Sequence, residues 1–336
     1  MKTAILFCFF ILIISDFSDS TLSQSDKKAK KDKTKDAKRG LTSKSVYMKN
    51  LVTTKIVNKD DILQHYLSYH EDLNFNNFDS PVLGYVTPWN SQGYDIAKRY
   101  GHPKLNLISP VWLQIRPVNE GYTIDGLHDK DLKWMSKVKK ADAKILPRVL
   151  FDKWSGQDYM SLFTSPAKLS KLRQTLQDLC VQHDFDGVVL EVWSQLGGQA
   201  KNELRTVINE IGNGFRQIGK LTVLVIPPPI YHNDVKGMFN EEDLDRLSDY
   251  VDYFSLMTYD YSSPQRPGPN SPIQWIRKCV EILDPNKFNR AQILLGLNFY
   301  GYDYTSEGGS PMVSGHGGHM LLKKNRLFQR YFFLQI

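Results

Sequence analysis

The chain has 336 residues and an apolar fraction of 41%, enough for one large domain or two ordinary ones and too apolar for a disordered protein. Its formal charge of +7 is concentrated between Asp26 and Arg39, where eight basic side chains face three aspartates. The remainder is nearly neutral, so a nucleic-acid partner is not expected.

The first segment places Lys2 before an apolar run from Ala4 to Ile14, with Ser18 and Ser20 following at a cleavage-like spacing, so residues 1–20 read as a signal peptide. Secretion or a lysosomal destination is the expectation. The run is shorter than the roughly 18 residues that span a bilayer, and no later segment reaches that length, so no transmembrane segment is predicted. Residues 21–80 form a basic, partly disordered segment, because the stretch from Lys27 to Arg39 has too few apolar side chains to bury a core. That arm is a solvated linker that could contact a polyanion.

From Pro81 to the end, residues 81–336, short apolar β-rich runs alternate with helical periodicity, the pattern of a parallel sheet with helical crossovers. The predicted strands are Val82–Val86, Leu105–Leu113, Ile145–Leu150, Gly187–Trp193, Leu221–Ile226, Val251–Tyr259 and Ile293–Phe299. Ser165-Pro166 reads as a cap with proline at the first helical position, followed by a stripe of Leu169, Leu172, Leu176 and Leu179. Ser271-Pro272 repeats the device before Ile276, Val280 and Leu283, and Leu204, Val207, Ile208, Ile211, Phe215 and Ile218 mark another buried face. The fold class is therefore α/β, a (β/α)8 barrel of the TIM type, truncated before its eighth strand because the tail from Gly308 shows no clear strand.

Cys180 and Cys279 each end a predicted helix and read as two buried thiols; no disulfide framework and no Asn-x-Ser/Thr acceptor is present in the sequence. His316-Gly317-Gly318-His319 reads as tail rather than as a metal site, and Pro227-Pro228-Pro229 as a stiffened loop at the barrel rim. No cofactor is called for.

Phe185-Asp186-Gly187-Val188-Val189-Leu190-Glu191-Val192-Trp193 resembles the signature strand of the family 18 glycoside hydrolases, the chitinases, whose pattern is Asp-x-x-Asp-x-Asp-x-Glu. Met257-Thr258-Tyr259-Asp260 resembles the end of that family's sixth strand, and Leu294-Leu295-Gly296-Leu297 with Tyr300-Gly301-Tyr302 its seventh. The resemblance covers about Pro81 to Tyr304. It implies a barrel that binds oligosaccharides of N-acetylglucosamine and, by extension, bacterial cell-surface glycans.

In this sequence Val189, Glu191 and Trp193 occupy the three functional positions of the signature. By the resemblance, the last belongs to a Glu that protonates the glycosidic oxygen, and the one before it to an Asp that steadies the substrate's N-acetyl group. An indole cannot act as a proton donor near neutral pH. Glu191 lies two residues, roughly 6.6 Å of strand, below the acid position, and its side chain reaches only about 1.5 Å further than Asp. The expected protein is thus not an enzyme but a carbohydrate-binding homologue. Its candidate sugar contacts are Tyr85, Trp89, Trp112, Trp154, Glu191, Trp193, Tyr259, Asp260, Asn298 and Tyr300, all near strand ends. Strand alternation places Trp193 on the inner face, where its ring is either a sugar platform or a core aromatic closing the barrel. Two other functions compete: a weak glycosidase drawing its acid from Glu191, Asp260 or Asp152, and an interaction protein bound by a scavenger or sorting receptor.

Overall fold

Parallel strands covered by helices are dry on both faces, so their residues must be apolar on each side until the strand ends reach solvent. The computed structural model describes residues 40–52, 59–65, 68–72, 78–102, 104–304 and 312–314. The signal peptide, the Lys27–Arg39 arm, the His316–His319 motif and the apolar tail lie outside the described residues. Two compact units are present, one of residues 72–259 and 272–297, the other of residues 1–71, 260–271 and 298–336.

In the smaller unit β1 (Gly40–Thr42) precedes α1 (Lys59–His65) and pairs in parallel with β2 (Ser68–His70). The larger unit runs β3 (Leu83–Val86), α2 (Ser91–Arg99), β4 (Leu107–Pro110), β5 (Leu113–Val118), β6 (Gly121–Asp125), α3 (Leu132–Lys140), β7 (Lys144–Ile145), β8 (Arg148–Phe151), α4 (Gly156–Thr164) and α5 (Pro166–His183). It continues with β9 (Gly187–Glu191), α6 (Lys201–Gln217), β10 (Leu221–Ile226), α7 (Glu241–Leu247), β11 (Tyr253–Leu256), α8 (Ile273–Leu283) and β12 (Ile293–Leu295). The antiparallel pair β13 (Tyr300–Tyr302) and β14 (Met312–Ser314) belongs to the smaller unit.

Strands β3, β4 and β7 form one parallel sheet, and β12, β11, β10, β9, β8 and β5 a second, with β6 added antiparallel beyond β5. Two predicted strands are each interrupted, the second between β4 and β5 and the third between β7 and β8. Hydrogen bonding crosses the second interruption, with Leu146 N donating to Ile108 O at 2.8 Å and Val189 N to Pro147 O at 3.0 Å. Spatial order thus follows chain order, as a TIM-type α/β barrel requires. The inner faces carry a common core of Leu107, Leu146, Val189, Val223 and Val225, packed by Leu83, Tyr253, Met257 and Leu294.

Several local readings of the sequence hold. Ser165 caps α5 by accepting from Lys168 N, with proline at the helix start, and Leu172, Leu176 and Leu179 are buried. Cys180 and Cys279 are buried and unbridged, and burial pushes both thiols up to about 12, so they are inert. Other readings are corrected. Pro272 precedes α8 without a side-chain cap, and Ser271 instead donates to Asn298 at 2.8 Å. The hairpin β5–β6 was not foreseen, and the signature strand stops at Glu191 rather than Trp193. Among the described residues no eighth barrel strand follows β12; the predicted truncation concerns residues beyond those described.

The signature strand begins where backbone meets backbone. A Cβ on Gly187 would lie 2.1 Å from Leu221 O, and the preceding Asp186 carboxylate accepts from Ile145 N at 2.8 Å, tying β9 to β7. Gly187→Ala is expected to lower unfolding free energy by about 2 kcal/mol or more, measured by urea denaturation, because that contact cannot relax without parting β9 from β10.

Candidate functional site

The C-terminal strand ends of such a barrel are where loops gather and where inward side chains first meet solvent. Two residues beyond the core residue Val189, Glu191 leaves the apolar layer and accepts from Arg148 Nη1 at 2.9 Å. Arg148 stands beside Val189 in register on β8, two residues past the core residue Leu146. The side chains keep 12% exposure for Arg148 and 27% for Glu191, so the pair closes the floor of the mouth rather than sitting on the surface.

From β3 the Tyr85 hydroxyl crosses the interior and shares a 2.8 Å hydrogen bond with Ser255 on β11. Burial of that hydroxyl raises its pKa; the Ser255 bond opposes the rise, Glu191 adds to it and Arg148 counters it. Beside Tyr85 in register, Ser109 is wholly buried, and both its Oγ and Arg148 Nε lack a hydrogen-bond partner among the described residues. The floor is therefore Tyr85, Ser109, Arg148, Glu191 and Ser255, a polar layer with unused hydrogen-bonding capacity.

Arg148, Ser109 and Ser255 were missed by the sequence reading. A signal for the first was available, since Arg148 is the one charge inside the predicted strand Ile145–Leu150 and is spaced two from the inward-facing Leu146.

Two predicted contacts are buried elsewhere. Val192 turns out of the extended region at φ −136 and ψ −31, so Trp193 opens a 3-10 turn over Trp193–Leu196 and strand alternation no longer sets its direction. Its ring is 0% exposed, donates to Met238 O at 3.1 Å and meets Phe239 edge-on at 5.0 Å. No face is open to a sugar, and Trp193 is a core aromatic, which corrects the platform reading. Trp112 lies in the break between β4 and β5, and its indole donates to Tyr94 OH at 2.5 Å while its ring packs on Trp134 and Phe185. It faces the helices, not the mouth.

Trp154 is half-buried, donates to Ile115 O at 2.9 Å and stacks on Tyr122 at 5.6 Å, bordering a groove of about 260 Å³ with Val118, Glu120 and Lys168. Trp89 is half-buried in the turn after β3. The Tyr259 ring lies against the backbone of Gly296, where an added Cβ would be 2.8 Å from Cε1.

Asp260, Asn298 and Tyr300 belong to the smaller unit, which brings them together. Tyr300 OH and Asn270 Nδ2 donate to Asp260 Oδ1 at 2.8 and 3.2 Å, and Asn298 Nδ2 donates to Tyr300 O at 2.5 Å. Enclosure of the Asp260 carboxyl raises its pKa, against the lowering effect of bonds from Tyr300, Asn270 and Tyr302. The other candidate acid, Asp152, accepts twice from Arg116, at 2.8 and 2.6 Å.

The sequence profile of the glycosyl hydrolases family 18 matches residues 81–328. The chain belongs to this family. Probable chitinase 10 of Drosophila melanogaster is 21% identical over 305 residues, which are 80% of this chain and 13% of that protein, so the chain spans a small part of the relative's length. The fold is shared with a chitinase of Chromobacterium violaceum, at a TM-score of 0.61 and 19% identity over 73% of this chain and 76% of that one. It is shared also with the spore cortex-lytic enzyme SleL of Bacillus cereus, at a TM-score of 0.58 and 15% identity over 75% and 60%.

The family 18 mouth here is built around an ion pair, and removing one partner leaves the other charge unmatched. Glu191→Ala is expected to cost about 2 kcal/mol of stability, and joining it with Arg148→Met to restore most of the loss, in denaturant unfolding of the two variants. Trp193→Phe is expected to cost about 1 kcal/mol by leaving Met238 O without its donor, with sugar affinity by titration calorimetry unchanged.

Proposed function

We propose that this family 18 chain binds oligosaccharides of N-acetylglucosamine without cutting them. The observation that carries the reading is the fate of the acid position, where Trp193 is both chemically unable to donate a proton and turned away from the mouth. Glu191 does not replace it, because its carboxylate is already engaged as an acceptor of the Arg148 guanidinium. Asp152 is engaged in the same way by Arg116. General acid catalysis supplies about 10² to 10⁴ of a rate, and its loss reduces turnover to a trace. What remains is a polar floor with unused donors and acceptors beneath a partly open tyrosine ring, the mixture that sugar hydroxyls and N-acetyl groups require.

The variant Val189-Leu190-Glu191-Val192-Trp193 resembles that of chitinase domain-containing protein 1, a chitinase-like lectin. With the leader-like first twenty residues, this supports secretion or lysosomal delivery, a role toward bacterial glycans or lipopolysaccharide, and carriage by a scavenger or sorting receptor. The Lys27–Arg39 arm is proposed as an auxiliary polyanion contact.

Titration calorimetry with an N-acetylglucosamine tetramer, followed by mass spectrometry of the same mixture, tests the reading. Binding with the tetramer intact is the expected result, weakened about tenfold in Glu191→Gln by loss of a charged hydrogen-bond partner. Absence of binding by a folded sample sinks it. A second reading is residual glycosidase activity with Asp260 as acid, its carboxylate positioned by hydrogen bonds from Tyr300 and Asn270. Cleaved tetramer that disappears in Asp260→Asn would establish that reading instead.

A further inference from the structure

Helices α2 and α3 pack side by side, Tyr94 against Trp134 at 4.8 Å, and run antiparallel to the strands, so both end at the barrel face opposite the mouth. Their following turns touch: a Cβ on Gly101 would lie 2.5 Å from the Cβ of Ala141. The last turn of α2 carries Lys98 and Arg99, and that of α3 carries Lys137, Lys139 and Lys140. Lys98 is paired with Asp95 at 2.6 Å and Lys139 with Asp184 at 2.8 Å.

The rest of α3 is arranged differently. Trp134, Met135 and Val138 are buried and fix the helix's rotation, which sends Lys133, Lys137 and Lys140, at spacings of four and three, to one exposed face. They span about 10 Å along the axis. Lys144, exposed at the start of β7, follows beyond the helix end, and none of these four lysines forms an ion pair among the described residues. Attraction to the helix dipole accounts for lysines in the last turn, but it opposes Lys133 in the first turn and does not reach Lys144 on a strand. The acids nearest along the chain cancel the stripe only in part, since Asp131, which caps the helix at Lys133 N and Trp134 N, and Asp142, exposed between Lys140 and Lys144, are two carboxylates beside four lysines. Beside the stripe an open cavity of about 400 Å³ is rimmed by Lys140, His183, Leu132 and the paired Lys139 and Asp184.

We propose that this face binds a linear sulfated polysaccharide, independently of what the mouth holds. Lysine ammonium groups act as point charges for sulfate, and a row of them matches a rod of repeated anions. The row presents no exposed aromatic ring on which bases could stack, which disfavours single-stranded nucleic acid. Its one exposed apolar side chain is Leu132, too little to enter a bilayer.

The test is binding of the full chain to immobilised heparin at about 0.15 M salt, where surface charges still act over roughly 8 Å. One variant carries Lys133, Lys137, Lys140 and Lys144 each changed to Ser; a second has Lys27, Lys28, Lys30, Lys31 and Lys33 changed to Ser and the helix face intact. The first is expected to bind about tenfold more weakly with a flatter salt dependence, also when combined with the second, and with an unchanged melting temperature because its four side chains are exposed. Unaltered affinity in the first variant, loss confined to the second, equal binding of desulfated heparin, stronger capture by vesicles of anionic lipid, or no heparin binding by the unsubstituted chain would each overturn the proposal.

Discussion

A carboxylate on the inner face of a parallel sheet has to be matched before the sheet can close over it, because the desolvation of an unmatched charge costs several kcal/mol. Glu191 is matched by Arg148 from the next strand. Below this pair the interior is aliphatic, from Leu107 through Val189 to Val225; at its level the layer turns polar with Tyr85, Ser109 and Ser255. The depth of the mouth is set by that change of composition.

The same pair bears on chemistry. In the family 18 signature strand Val189 lies in the core, Glu191 is held by an arginine and Trp193 is buried, so the polar groups of this strand end are engaged in fixed hydrogen bonds. Trp193 still has a structural task. It holds the segment around Met238 and Phe239 through its indole N–H and ring edge, while Lys201 and Arg205 converge on the buried Asp243, which accepts from the N–H of Asn240, the cap of α7. Trp193 is thus part of the framework behind the site.

The larger unit presents two surfaces of different chemistry. The mouth offers neutral polar groups around a paired charge, whereas the outer face of α3 offers lysines that form no ion pair among the described residues.

Strand and helix alternation, the Ser165 cap of α5, the buried stripes of α5 and, apart from the exposed Ile218, of α6, and the family itself were legible from the sequence, because each depends on residues close together in the chain. The membership of the site was legible only in part. Tyr85 and Glu191 reach the floor as alternation predicts, yet Trp112 and Trp193 do not, since strand geometry lapses at Val111–Trp112 and at Val192 and a shift of one residue sends a side chain to the opposite face. Arg148 and Ser255 join the floor from other strands, with 43 residues separating Arg148 from Glu191 and 170 separating Ser255 from Tyr85. Local periodicity says which way a side chain points while its strand lasts; which side chains then meet is decided by the register between strands, and that exists only in the folded chain.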